Sequence, residues 1–247
     1  MLTVVNPAKD AFLAFLNLIY PKNCQGCGKS LDYKNKLYLC ESCFKTITIN
    51  KPPFCIRCGH SLCGAVNLSA VCGECMGTNY SFDKAFSCCN YDGLIKELIH
   101  NFKYKQNRYL VCLFDELMTQ FIKTHMDTQA IDMVVPVPLH KRKIRERGFD
   151  QSLLISSRVS NIFNLPLVYN ALKRNRYTAQ QTHLSRFQRM DNIKGAFSVK
   201  DKNIFNKKAV LLVDDVATTF ATADECASVL KKAGTKSVFL LTLARGL

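Results

Sequence analysis

Apolar residues recur along this chain with two different spacings, and the alternation between them outlines a fold. Leu94, Ile95, Leu98, Ile99 and Phe102 follow Tyr91-Asp92-Gly93 at three- and four-residue intervals, which places them on one face of a helix, and a second helix is expected across Leu110 to Ile122. Met133-Val-Val-Pro-Val and Val210-Leu-Leu-Val are short unbroken apolar runs, as expected of strands buried on both faces. A helix is predicted from Gln151 to Phe163, another from Thr222 to Lys232 closed by Gly234, and a last strand from Lys236 to Leu243. Strand, helix, strand in this order implies an α/β fold, a parallel sheet flanked by helices with ligand loops at the carboxyl ends of the strands. The apolar run Ala11 to Tyr20 is about half the length a bilayer span requires. It reads as a short amphipathic helix ending before Pro21, neither a signal nor an anchor.

Residues 1–80 lack such periodicity and carry chemistry instead. Of thirteen cysteines in the chain, eight form Cys-x-x-Cys pairs: Cys24/Cys27, Cys40/Cys43, Cys55/Cys58 and Cys72/Cys75. Twelve residues separate the first two pairs and thirteen the last two. A turn with two thiolates two residues apart offers both sulfurs to one ion, and two such turns complete a tetrahedron around Zn²⁺. The spacing therefore predicts two structural zinc ribbons in tandem, whose folding free energy comes from metal binding, ahead of a second domain from residue 81 to 247. His60 and Cys63 are spare potential ligands, and Cys88, Cys89, Cys112 and Cys226 are ordinary buried residues.

Charge is concentrated elsewhere. The formal net charge is +15, and residues 133–190 hold eleven Lys/Arg against Glu146 and Asp150 alone. Such a balance favours an anionic partner, nucleic acid or an acidic membrane surface. Lys141, Arg142, Lys143, Arg145 and Arg147 follow one buried strand, and Lys173, Arg174 and Arg176 lie beside Tyr177. Cations interleaved with aromatics suit single-stranded nucleic acid, in which bases stack and phosphates pair with Arg. Phe187 continues the pattern, and His183 reads as a surface residue.

After Val213 come Asp214, Asp215, Val216, Ala217, Thr218, Thr219, Phe220, Ala221 and Thr222. Adjacent carboxylates at a strand end accept hydrogen bonds from vicinal hydroxyls, and a hydroxyl-rich turn at a helix N-terminus suits a phosphate. This set resembles the signature of type I phosphoribosyltransferases. The resemblance implies that Asp214 and Asp215 contact the ribose of phosphoribosyl pyrophosphate, held with Mg²⁺, that Ala217 to Thr222 wrap its 5′-phosphate, and that Leu139, His140, Lys141 and Arg142 form a pyrophosphate loop. Those cations serve a nucleic-acid backbone equally well. Phe220 stands where that family has Gly, so its side chain is expected to strain the loop or crowd the phosphate.

The tandem cysteine pairs, Val135-Pro-Val-Pro138 with the following Arg147-Gly-Phe-Asp-Gln151, the Gln180-Gln181 and Arg189-x-x-Asn192 segment and the Asp-Asp loop span nearly the whole chain. Together they resemble the ComF family of competence proteins, with Asp150 at a position where that family has Asn. The resemblance implies a cytoplasmic bacterial protein with a zinc-binding N-terminal region and a phosphoribosyltransferase-like domain. It further implies a role in natural transformation, handling imported single-stranded DNA alongside DNA-uptake or recombination proteins. An active transferase and a zinc-dependent adaptor are the alternatives.

Overall fold

In the computed structural model, which describes residues 19, 21–62, 70–127, 129–178 and 191–246, four strands form one parallel sheet. They are β1 (Lys84–Asn90), β2 (Met133–Pro136), β5 (Ala209–Ala217) and β6 (Ser237–Arg245), in the spatial order β1-β6-β5-β2. A separate antiparallel pair joins β3 (Leu172–Arg174) to β4 (Phe197–Val199). The helices are α1 (Glu41–Lys45), α2 (Gly93–Tyr104), α3 (Val111–His125), α4 (Lys141–Arg147), α5 (Gln151–Phe163) and α6 (Ala221–Lys232).

Alternation along the central strand shows why its apolar run is unbroken. Leu211 and Val213 face a core shared with Leu98, Phe102, Phe114 and Val159 of α2, α3 and α5. Val210 and Leu212 face the opposite core with Cys226, Ala227 and Leu230 of α6. A strand covered on both sides has no polar face to display. Helix α5 matches its expected bounds because Asp150 caps it, accepting from the Leu153 amide at 3.0 Å, and Asn164 closes it in the left-handed region with φ 52°.

The cysteine-rich segment is not separate from these cores. Leu31, Leu39 and Ile47 belong to the α2/α3/α5 side, whereas Cys55, Cys58, Cys75 and Phe82 belong to the α6 side. The chain between the two ribbons runs along β1, the exposed edge of the sheet. Asn90 donates to Thr48 (3.1 Å), Asn50 to Cys88 (2.9 Å) and Ala85 to Arg57 (2.8 Å), all backbone to backbone. This covers an edge that would otherwise present unpaired amides and carbonyls. The expectation that this segment depends on metal alone is corrected accordingly, since apolar burial against the sheet contributes as well.

No helix among the described residues is long and apolar enough to cross a membrane. The helix expected from Ala11 to Tyr20, apart from Ile19, lies outside the described residues, as do Cys63, Gln180, Gln181, His183, Phe187 and Arg189.

Candidate metal centres and ligand site

The cysteine pairs converge as their spacing predicts. The sulfurs of Cys24, Cys27, Cys40 and Cys43 lie within 4.8 Å of one another, and so do those of Cys55, Cys58, Cys72 and Cys75. Individual separations are 3.6 Å for Cys24–Cys40, 3.7 Å for Cys27–Cys40 and 3.6 Å for Cys58–Cys72. A Zn–S bond of about 2.3 Å gives a tetrahedron with edges of about 3.8 Å, so the sulfurs already occupy the corners of a zinc site. Disulfides require roughly 2 Å and are excluded at these distances.

Backbone amides complete the surroundings. Gly26 and Cys40 donate to the Cys24 sulfur at 3.4 and 3.3 Å, and Cys72 to the Cys55 sulfur at 3.4 Å. The Ser42 hydroxyl is the main influence drawing Cys40 down to about 6, whereas the hydrogen bond that the Cys43 thiol donates to Cys40 is the main one pushing Cys43 up to about 12. Burial pushes the Cys58 thiol strongly upward, with the Arg245 cation pulling the other way. Four crowded thiols cannot all ionise unaided, and a shared divalent cation supplies the attraction that lets them. Among the described residues, His60, Cys88, Cys89, Cys112 and Cys226 take no part in either cluster.

At the other functional region the strand is longer than its apolar run. β5 continues through Asp214, Asp215 and Ala217, and α6 begins at Ala221, so the expected loop from Ala217 to Thr222 reduces to Thr218–Phe220. Ala217 is a strand residue, and Ala221 and Thr222 form the first turn of the helix. Asp214 accepts from the Ser152 hydroxyl at 3.0 Å and from the Asp215 amide at 2.9 Å, while Lys103 of α2 pairs with Asp215 at 2.8 Å. Burial pushes Asp214 up to about 7, with the neighbouring Asp215 carboxylate adding to it. Burial also works against the Lys103 charge, but the attraction of Asp215 outweighs it and holds the ammonium above its ordinary pKa.

Phe220 takes the conformation that glycine would adopt, with φ 60° and ψ 2°. The expected strain is therefore present, at about 1–3 kcal/mol for a non-glycine residue in this region. Phe220 also lines the cavity beside the loop, with its ring turned toward the core. The ring is 3 % exposed and packs against Tyr80 and Phe82, with centroids 5.5 and 5.3 Å away. Burying a Phe contributes about 1.5–3 kcal/mol, enough to offset the strain. A cavity of about 40 Å³ remains beside Asp214, Thr218, Thr219 and Thr222, large enough for a small anion.

The expected pyrophosphate loop is corrected too. Leu139 and His140 are loop residues, but Lys141 and Arg142 open helix α4. His140 caps that helix, its Nδ1 accepting from the Arg142 amide at 3.2 Å, and Gly148 ends it at φ 76°. Arg142 is taken up by Glu146 at 3.0 Å and by the Tyr177 ring, 4.7 Å from its centroid.

The basic residues divide into two sets. Lys141, Lys173 and Arg174 line one cavity of about 150 Å³ between α4 and β3, with Tyr169 and Asp150. Burial lowers the pKa of Lys143, and the charges of Arg147, Arg174 and Lys103 lower it further, so these cations converge. Arg147 donates to Gln151 at 2.7 Å and stacks on Tyr104. Arg176, by contrast, turns back to the carbonyls of Asn192 and Lys194, at 3.0 and 2.9 Å, and Arg145 is exposed on α4. Lys103, Ser152 and Arg245 were invisible to sequence reasoning, since each meets its partner only across the tertiary fold; a capping pattern before α5 was the one local signal, and it points to Asp150.

Two paired-cysteine clusters in tandem define a class, and the double zinc ribbon family model matches residues 15–76. The clusters are zinc-binding sites of that kind. Over most of its length the chain is 31% identical to competence protein F of Haemophilus influenzae, across 211 residues that cover 84% of this chain and 90% of the relative. The chain belongs to the competence protein F family, ComF. Competence protein ComFC of Bacillus subtilis is 27% identical over 84% of this chain and 83% of its own. DNA utilization protein YhgH of Escherichia coli is 27% identical over 85% and 91%. Among solved structures, an APRTase from Giardia lamblia complexed with 9-deazaadenine overlaps 57% of this chain and 69% of its own, at 18% identity and a TM-score of 0.38.

Proposed function

We propose that this chain handles DNA in competence by binding single-stranded DNA over the basic face of α4 and β3 and a phosphoribosyl ligand at the β5–α6 junction. The observation that carries the reading is the segregation of charge. Lys141, Lys173 and Arg174 line one cavity and Lys143 feels the charges of Arg147 and Arg174, while Asp214 and Asp215 sit paired at the neighbouring strand end. The acids suit the hydroxyls of a ribose, Thr218, Thr219 and Thr222 suit its 5′-phosphate, and Lys141 and Lys173 suit further phosphates. Mg²⁺ prefers oxygen donors and dehydrates reluctantly, so it would arrive on the pyrophosphate of the ligand, with Asp214 the carboxylate not engaged by Lys103.

Fluorescence anisotropy with a single-stranded oligonucleotide tests the DNA arm. Binding is expected at low salt, with log K falling as salt rises and a slope of about 0.7 for each phosphate neutralised. Replacing Lys143, Arg147 and Arg174 by Gln should flatten that slope by about two, and absence of low-salt binding by wild type would contradict the proposal. A second reading, an active phosphoribosyltransferase, gains from Phe220 directing its ring into the core and leaving the loop open. Release of pyrophosphate on adding a nucleobase or amine would support it, and no release with any acceptor would end it.

A further inference from the structure

Arg245 closes β6 and is the largest fully buried side chain among the described residues, with only 1 % of its side chain exposed. Its backbone is register partner of Ala217, the residue before the Thr218–Phe220 loop, and the next amide, that of Gly246, donates to the Ala217 carbonyl at 2.9 Å. The guanidinium lies over the Phe220 ring, 4.5 Å from its centroid. On its other side Nη2 pairs with Glu74 at 2.9 Å, and Glu74 stands inside the Cys72-Gly-Glu-Cys75 knuckle of the second cluster. Nε and Nη1 are buried and have no hydrogen-bond acceptor among the described residues. A cation so placed is expensive unless negative charge lies close by. Glu74 supplies part of it, and four thiolates holding Zn²⁺ at the second cluster, where Arg245 already acts on Cys58, would add a net charge of minus two.

We propose that Arg245 is a positioning residue shared by the second zinc cluster and the phosphate loop, so that metal at Cys55, Cys58, Cys72 and Cys75 holds Phe220 in its left-handed conformation. The chain of contact is continuous. The knuckle fixes Glu74, Glu74 fixes the guanidinium plane, and the plane holds the ring that sets the loop backbone. The first cluster has no such connection, because its residues pack on the other face of the sheet. The inference rests on the phosphoribosyl reading only in naming what the loop binds.

Hydrogen exchange across residues 216–222, read together with zinc retained after a chelator challenge, tests the coupling without any ligand. Arg245→Lys keeps the charge and loses the plane, and Glu74→Gln alters a half-exposed residue that is not a metal ligand, so the second variant tests the coupling without touching the interior. Both should speed exchange in this segment and loosen zinc at the second cluster by about tenfold, the usual scale for residues supporting a metal site. Cys72→Ser should speed loop exchange similarly, and Cys27→Ser in the first cluster should leave it unchanged. Unchanged loop exchange in Arg245→Lys, Glu74→Gln and Cys72→Ser would overturn the coupling, and so would an equal rise in Cys27→Ser. Failure of phosphoribosyl pyrophosphate to bind wild type would sink the ligand reading alone, with the exchange results still deciding the coupling.

Discussion

The two zinc ribbons share the Cys-x-x-Cys pairs and differ in what surrounds them. In the first, Cys27 is exposed and Cys40 and Cys43 are partly so, and the module leans on the turn between α2 and α3 through Tyr38 against Tyr109, 4.3 Å apart. In the second, Cys55, Cys58 and Cys75 are fully buried and continuous with the core under α6. One motif thus yields a peripheral clip in one place and part of the domain interior in the other. The lesson is that Cys-x-x-Cys spacing specifies metal chemistry, whereas the energetic weight of the site is set by what packs around it.

The largest expected contrast is between ligand losses. Cys58→Ser should remove zinc and abolish a cooperative melt, because it strands buried thiols in the core, whereas Cys27→Ser should leave a folded protein short of one zinc. Calorimetric melting with zinc analysis checks this, and equal destabilisation would erase the distinction.

Glycine substitutions sharpen the comparison next. At Gly59, φ is +69° and an added Cβ would meet the Ala85 carbonyl oxygen at 2.4 Å, so Gly59→Ala should cost at least about 3 kcal/mol. At Gly28 of the first ribbon φ is +76° with nothing within 4 Å, so Gly28→Ala should cost only about 1 kcal/mol. Denaturant midpoints compare them directly, and similar costs would mean the second ribbon is not pressed onto β1.

Charge burial supplies a third contrast. Asp214, raised to about 7 mainly by burial, keeps a proton in the native state that the unfolded chain, with a pKa near 3.8, has already released. Stability from this group therefore falls as pH rises between those values and is flat above them. Asp214→Asn should raise stability at pH 8 by on the order of 2 kcal/mol and leave it unchanged near pH 3. Equal effects at both pH values would show that Asp214 is an ordinary carboxylate. The smallest effect belongs to the exposed Glu41–Lys45 pair of the first ribbon, where Glu41→Gln should cost about 0.3 kcal/mol.

Legibility in the sequence followed the range of the interactions involved. Helix α5, β2 and both cysteine clusters depend on period, capping and spacing, and each was placed from the chain alone. Helix α4 was read as a loop because Lys-Arg-Lys-Ile-Arg-Glu-Arg offers one apolar residue and no periodic face; its helix is held by the His140 cap, the Gly148 end and the Arg142–Glu146 pair. Strand β1 went unread because Lys84, Ser87 and Asn90 break its apolar run, and Ser87 is made buriable by a hydrogen bond with Thr242 at 2.8 Å, 155 residues away in the chain. At the candidate ligand site the acids were legible, but their partners Lys103 and Ser152 were not. For Phe220 the strained backbone was anticipated and the rescue was not, since the ring's partners come from Tyr80, Phe82 and Arg245.

Calorimetric titration of phosphoribosyl pyrophosphate with Mg²⁺ tests the central reading most directly, using wild type and the Asp214→Ala/Asp215→Ala double variant at matched zinc content. The account predicts a saturable heat at one ligand per chain for wild type, and none for a double variant that still melts cooperatively. Identical isotherms for the two proteins, or no heat from wild type, would contradict it.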